Sequence, residues 1–185
     1  MLFFRFDRWH TSPLENRQYA CDILSEIEGR INMGAILELG CGLGDIIGKT
    51  NYKEKYFYDI SSSVLKAAQF LQIFSFKKSK NIFKVFNFLE DTLDKQIHLD
   101  AIILVNWIHD YEPETLKKKL SEMIKTNLRP EGLVVFDVIE KNPNYKFNHS
   151  FENLIDTDQF NIKVSEGYKF GRKLVYASLK SHIKL

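Results

Sequence analysis

Residues 36–45 read ILELGCGLGD, an apolar run that ends in three glycines at alternate positions. A short apolar run bounded by glycine is typical of a buried strand. Glycines after a strand let the backbone turn sharply and approach a ligand without side-chain obstruction. A dinucleotide-binding turn has the spacing GxGxxG, which would require glycine where Asp45 stands. Both the spacing and the carboxylate, which would face a pyrophosphate, argue against a nicotinamide cofactor.

Strands and helices alternate on both sides of this stretch. Apolar patterning predicts helices from Pro13, at 45–50, at 62–74 and from Pro113 to a turn at 129–132, and strands at 35–39, 55–59, 82–86, 100–106, 133–139, 158–166 and 171–179. Such alternation predicts a parallel sheet with helices on both faces. The last two strands have only a short turn between them, which predicts a hairpin.

Composition bounds the class of protein. The chain has 185 residues, with 26 basic and 24 acidic side chains, so its net charge of +2 gives no field that would indicate a nucleic-acid partner. Cys21 and Cys41 form no CxxC pair and the five histidines form no HxxH or HxxxH pair, so we expect no metal site. We expect a cytoplasmic protein without membrane insertion, because the sequence has neither a secretory signal nor a transmembrane-length apolar run.

Four segments in this order, ELGCGLG, YDIS, VNWIHD and LRPEGLVVFD, resemble the class I S-adenosylmethionine-dependent methyltransferases over residues 33–180. The resemblance implies an α/β, Rossmann-like three-layer sandwich. Its seven-stranded, mostly parallel sheet has the order 3-2-1-4-5-7-6 with an antiparallel last strand. It also implies a single domain over residues 1–185, in which 1–32 form an N-terminal lid or helix segment, and S-adenosyl-L-methionine as the cofactor.

The resemblance also implies a set of cofactor-binding residues. Asp59 ends the second strand, where a carboxylate can accept hydrogen bonds from both ribose hydroxyls; capping of the following helix is the alternative. Asn87 stands where the family often has an aspartate that meets the adenine amino group. Glu38 has either a cofactor role or that of a buried carboxyl bonded to backbone amides. The full set is Glu38, Gly40, Cys41, Gly42, Gly44, Asp59, Ile60, Asn87, Phe88 and Asn106.

The segment VNWIHDY resembles the W-x-x-H-D-W stretch of small-molecule O-methyltransferases. This implies that His109 is a general base that removes the proton from a hydroxyl acceptor, and that Asp110 orients it. Polar packing in a loop is the alternative for His109. An amine acceptor would need no base, because positioning supplies much of the rate.

Aromatic and histidine side chains are candidates for contact with the acceptor. Trp9 and His10 precede the first helix, where the family often folds a lid; a staple onto the sheet is equally consistent. Tyr111 replaces the second aromatic of the motif, and Tyr145 lies in the polar stretch 140–153, which forms either an acceptor pocket or a surface connection. We therefore expect a monomer or homodimer that methylates a small metabolite or sugar, with an N-methyltransferase or an inactive cofactor-binding module as alternatives.

Overall fold

The computed structural model describes residues 14–30, 33–75 and 78–180. Trp9, His10 and the predicted helix start at Pro13 lie outside the described residues. The helices are α1 (Gln18–Glu28), α2 (Ser62–Ile73) and α3 (Pro113–Asn127), and the strands are β1 (Ala35–Leu39), β2 (Glu54–Asp59), β3 (Lys80–Val85), β4 (Leu99–Leu104), β5 (Leu128–Ile139), β6 (Phe160–Val164) and β7 (Arg172–Leu179). No helix among these residues is long and apolar enough to cross a membrane.

The seven strands form one sheet of order β3-β2-β1-β4-β5-β7-β6. Neighbouring strands β1, β2 and β3 are parallel, as are β4 and β5. Strand β7 is antiparallel to both β5 and β6. The predicted order and the antiparallel hairpin are therefore confirmed. The apolar runs explain the centre of the sheet, since every residue of β1 and β4 is buried.

The chain forms two compact units, of which the first is Met1–Asp91. Helix α2 contacts β2 and β3 and buries Val64, Leu65 and two alanines. Its first turn is capped by the Ser61 hydroxyl, which accepts a hydrogen bond from the backbone N–H of Val64. The short helix predicted at 45–50 is a single 3₁₀ turn, Ile47–Lys49. Residues 40–53 connect β1 to β2, and residues 60 and 61 connect β2 to α2. The glycine turn and Ile60 lie in these connections, directly after the strand ends.

The second unit is Thr92–Leu185. Helix α3 ends at Asn127, close to the predicted end at 129–132, but strand β5 begins at Leu128 and not at the predicted residue 133; that strand start was wrong. Leu128 pairs with Leu99, and the register of pairing shifts before the next pair. Residues 129–132 therefore form an irregularity within the strand. Glu131 there has a φ of 62°. A turn-like sequence is thus accommodated as a bulge without ending the ladder.

Candidate functional site

The glycine turn after β1 is built from left-handed backbone. Gly40, Gly42 and Gly44 have φ values of 66°, 55° and 74°, a region that residues with a Cβ rarely adopt. The turn closes on itself, because the backbone N–H of Gly44 donates to the carbonyl oxygen of Cys41 at 2.9 Å. The alternate glycines of the sequence are therefore explained by the conformation of each position.

Asp59 joins this turn to the start of α2. Its Oδ2 accepts a hydrogen bond from the backbone N–H of Gly42 at 3.0 Å, and its Oδ1 accepts one from the backbone N–H of Ser61 at 2.9 Å. Because each carboxylate oxygen has a second lone pair, these two bonds leave acceptor capacity. Asp59 is thus a structural acceptor for two backbone amides, and binding of ribose hydroxyls stays a prediction.

Glu38 lies in β1, 3% exposed, and its Oε2 accepts a hydrogen bond from the backbone N–H of Ile47 at 3.0 Å. The structure thus contains the buried carboxyl bonded to a backbone amide that was one of the two alternatives; the cofactor role stays a prediction. Burial raises the pKa of Glu38 to about 8, and the nearby Asp45 adds to this, against the opposing effect of the Ile47 bond. At neutral pH this carboxyl therefore holds a proton.

Glu38 gives the stability of the fold a pH dependence. Because its folded pKa of about 8 exceeds the ordinary value of 4.5, the folded state binds more protons in that interval and its stability falls as the pH rises through it. We expect Glu38→Gln, which cannot ionise, to flatten this fall by up to about 5 kcal/mol, since one pKa unit corresponds to about 1.4 kcal/mol. Urea unfolding at several pH values measures it, with the exposed Glu90→Gln as the control. If the free energy of unfolding changed with pH equally in the parent, in Glu38→Gln and in Glu90→Gln, Glu38 would not be the source of the pH dependence.

Asp45 forms an ion pair that sequence reasoning missed. Its Oδ2 lies 2.6 Å from Nη2 of Arg17, the residue that precedes α1, and both side chains are at most partly exposed. No short motif links two residues 28 positions apart, so the pairing had no sequence signal. The contact fixes the start of α1 to the connection that follows the glycine turn.

The remaining predicted cofactor residues of the first unit have diverse environments. Ile60 follows Asp59 and is 63% exposed, whereas Phe88 is buried. Asn87 Oδ1 accepts a hydrogen bond from the backbone N–H of Leu89 at 3.1 Å, so the oxygen proposed for adenine already serves a local turn. Burial raises the pKa of the Cys41 thiol well above its ordinary value, which argues against a nucleophile there.

A buried carboxylate organises the candidate acceptor side of the second unit. Asp137, in β5, is fully buried; its Oδ1 accepts a hydrogen bond from the backbone N–H of Asn106 at 2.9 Å. Its Oδ2 lies 3.3 Å from His109 Nε2 and 3.4 Å from Arg172 Nε. Arg172 also donates through Nη1 to the side-chain oxygen of Asn106. The carboxylate next to the imidazole is therefore that of Asp137, whereas Asp110, expected to orient it, is exposed.

Sequence reasoning missed both Asp137 and Arg172. The available signal was the acid itself, a single charged residue within the apolar run LVVFDVI. A charge in a buried strand needs a partner, so Asp137 could have been marked as part of a buried polar cluster. Nothing in the sequence indicated that the partners were His109 and Arg172.

The hydrogen bonds define which ring nitrogens carry protons. A carboxylate accepts, so neutral His109 places its proton on Nε2 and leaves the Nδ1 lone pair bare. His149 Nε2 lies 3.1 Å from the carbonyl oxygen of Ile108 and likewise donates. The Nδ1 atoms of both histidines are buried and have no hydrogen-bond partner among the residues that the structure describes. Burial also lowers the pKa of His149, which favours its neutral form.

The polar stretch 140–153 lies against His109. The backbone N–H of Phe147 donates to the carbonyl oxygen of His109 at 3.0 Å. The His109 ring centroid lies 4.8 Å from that of Tyr145 and 5.4 Å from that of His149. Tyr145 thus lies beside His109, and its contact with an acceptor stays a prediction, while Tyr111 contacts Trp107 edge-on at 5.4 Å. Within residues 14–30, 33–75 and 78–180, no three acidic, histidine or cysteine side chains form a metal-binding group.

Comparisons with known proteins bear on the fold. No protein-family model matches the chain, and no curated protein matches it. Among solved structures, magnesium protoporphyrin IX methyltransferase from Synechocystis PCC 6803, with bound S-adenosyl-L-homocysteine, is similar at a TM-score of 0.70 and 13% identity over 89% of this chain and 83% of that one.

Two further solved structures agree. The N-methyltransferase NodS from Bradyrhizobium japonicum WM9, in complex with S-adenosyl-L-homocysteine, has a TM-score of 0.70 and 17% identity over 91% of this chain and 88% of that one. An O-methyltransferase family protein from Burkholderia thailandensis has a TM-score of 0.72 and 11% identity over 95% of this chain and 59% of that one. Together with the strand order, these likenesses show that the chain has the class I S-adenosylmethionine-dependent methyltransferase fold.

Proposed function

We propose that this protein is a methyltransferase that uses S-adenosyl-L-methionine to methylate a small-molecule acceptor. The observation that carries the proposal is the turn of three left-handed glycines after β1, held by Asp59, in a fold whose similar solved structures contain S-adenosyl-L-methionine or S-adenosyl-L-homocysteine. When bound, the cofactor supplies an electrophilic methyl group on a sulfonium.

The first unit offers groups that fit this cofactor. The backbone of the glycine turn has no side chains at three positions to obstruct a ligand. Asp59 retains lone pairs for hydroxyl groups, and the exposed Ile60 beside it offers an apolar surface to a purine ring. A cationic ligand near Glu38 would favour its ionised form, so binding would release a proton from this carboxyl.

In the second unit, we propose that His109 acts as a general base through Nδ1. Asp137 holds the proton on Nε2, which leaves Nδ1 as the nitrogen that can accept a proton from a hydroxyl. The imidazole is only 1% exposed, so an acceptor reaches Nδ1 when Tyr145 or another covering side chain moves. Arg172 and Asn106 position this pair, because both are bonded to Asp137.

An amine acceptor is the second candidate. It is favoured by the burial of His109 and by the likeness to NodS, described as an N-methyltransferase. Methyl transfer to an amine relies on positioning and needs little help from a base. In that case the polar cluster around Asp137 has a structural role only.

Calorimetry with S-adenosyl-L-methionine tests the proposal. We expect the protein to bind, and Asp59→Ala to weaken binding at least about tenfold, because a charge-assisted acceptor for the ribose is lost. The matched control is Asp156→Ala, which removes an aspartate that likewise accepts a backbone N–H two residues ahead, from Asp158, in a remote turn. A protein that folds but does not bind the cofactor would overturn the proposal.

Turnover then separates the two acceptor classes. With a hydroxyl acceptor, we expect His109→Ala to keep its cofactor affinity and to lose about 100-fold or more in kcat. Unchanged turnover in this variant would remove His109 as a base and leave the amine acceptor. Cofactor binding without turnover on any candidate acceptor would indicate a binding module.

A further inference from the structure

Helix α2 exposes large apolar side chains where a surface helix ordinarily carries polar ones. They are three residues of its C-terminal half and the residue that follows it: Phe70 is 51% exposed, Leu71 45%, Ile73 71% and Phe74 64%. The rings of Phe70 and Phe74 contact each other edge-on, with centroids 5.4 Å apart. We call these four residues the α2 patch. An apolar group of this size on a helix that already buries its opposite face marks an interaction surface.

Lysines lie on both sides of the α2 patch in the sequence. Residues 60–89 contain five lysines and no aspartate or glutamate, in a chain whose net charge is only +2. The lysines are Lys66, Lys77, Lys78, Lys80 and Lys84. Lys66 precedes Phe70 by four residues and Ile73 by seven, so the three share one stripe of the helix. The patch is therefore flanked by cationic side chains with no acid in the same segment.

Few of these charges are compensated by other elements. Lys80 forms an ion pair with Glu54 at 3.1 Å, and the Lys84 ammonium lies 5.8 Å from the Tyr58 ring centroid. Within the described part of the chain, neither Lys66 nor Lys78 forms an ion pair. Both are exposed. Exposed lysines therefore precede and follow the α2 patch in the sequence.

We propose that the α2 patch docks on an anionic membrane surface. Phenylalanine and isoleucine enter the boundary between headgroups and acyl chains, while Lys66 on the same helix and Lys78 after it pair with anionic headgroups. A bilayer accepts side chains that protrude singly from a helix, without the shaped groove that a protein partner would need. A second copy of this chain fits poorly, because a two-fold contact would bring the lysines of one patch against those of the other.

Vesicle co-sedimentation of the full chain tests this proposal and is independent of methyl transfer. We expect binding to vesicles of phosphatidylcholine with one-third phosphatidylglycerol, and little to phosphatidylcholine alone. Phe70→Ser with Ile73→Ser should lower the partition coefficient about tenfold or more. The matched control is Phe170→Ser, at a phenylalanine that is 74% exposed in the β6–β7 connection. Because all three positions are exposed, the variants keep the fold, and thermal unfolding verifies this.

The charge component is tested in parallel. Lys66→Gln with Lys78→Gln should weaken binding to the anionic vesicles by about five-fold per lysine. Lys117→Gln with Lys118→Gln, exposed positions in α3, makes the same change of charge elsewhere and should have a smaller effect. No binding to anionic vesicles at low salt, or equal losses in patch and control variants, would overturn the proposal. Equal binding to polyglutamate would indicate an acidic protein partner, and a dimer lost in Phe70→Ser would indicate a second copy; either result overturns it.

Discussion

Asp137→Ala is expected to lower the free energy of unfolding by about 3–5 kcal/mol. The carboxylate is fully buried and lies within 3.4 Å of donors from Asn106, His109 and Arg172. Its removal takes the Asp137 carboxylate away from the Arg172 guanidinium, whose side chain is only 14% exposed. A buried donor that loses its acceptor costs the full desolvation penalty, and a buried cation costs more. Urea unfolding of the variant and the parent measures the difference.

Asp100→Ala is the matched control for this prediction. Asp100, on the neighbouring strand β4, also pairs with an arginine, Arg129, at 3.2 Å. The Arg129 side chain is 48% exposed, so water solvates it when the carboxylate is removed. We expect a loss of about 1–2 kcal/mol. If Asp137→Ala and Asp100→Ala lowered the free energy of unfolding equally, the contacts of Asp137 with Asn106, His109 and Arg172 would add no stability beyond that of a partly exposed ion pair.

Gly44→Ala is expected to cost about 2–4 kcal/mol, the sum of backbone strain and a steric clash. Gly44 has a φ of 74°, and an added Cβ would lie 2.6 Å from a ring carbon of Phe57. That ring is fully buried and stacks on Phe83 with centroids 4.6 Å apart, so it cannot move aside freely. Thermal or urea unfolding checks the prediction without reference to any ligand.

Gly171→Ala separates the two contributions. Gly171 has the same φ of 74°, but an added Cβ would meet nothing within 4 Å. Its substitution should therefore cost only the backbone strain, about 1 kcal/mol. Gly167→Ala, with open space and no positive φ, should be nearly neutral. Equal losses for Gly44→Ala and Gly171→Ala would mean that Phe57 yields to the new methyl group.

Local patterns in the sequence predict most of the fold. An apolar run such as 100–106 has few alternatives to a buried strand, and β4 indeed occupies Leu99–Leu104. The error at 129–132 has a physical cause. Proline and glycine there indicate a turn, but the pairing of Leu128 with Leu99 retains the strand through a bulge. The partner Leu99 lies 29 residues away in the chain, so local sequence patterns give no sign of this pairing.

The candidate site was predictable only in part. The glycines and Asp59 form a local constellation, because they lie at the ends of neighbouring strands β1 and β2. The surroundings of His109 are not local: Asp137 lies 28 positions away, and Arg172 lies 66 from its partner Asn106. Asp110 was expected to orient His109 because the two residues are adjacent in the sequence. The side chains of adjacent residues, however, seldom point at each other. The imidazole is instead oriented from the next strand of the sheet.

The strand order has a consequence for association between copies. Among the described residues, the two outer strands of the sheet are β3 and β6, and each has a neighbouring strand on one side, so its other edge is where another chain could extend the sheet. Strand β3 carries Lys80 and Lys84, and β6 carries Lys163. Extension of the sheet between like edges would bring these lysines together and oppose the pairing. The same residues that give the edges their charge thus protect the sheet against edge-to-edge aggregation.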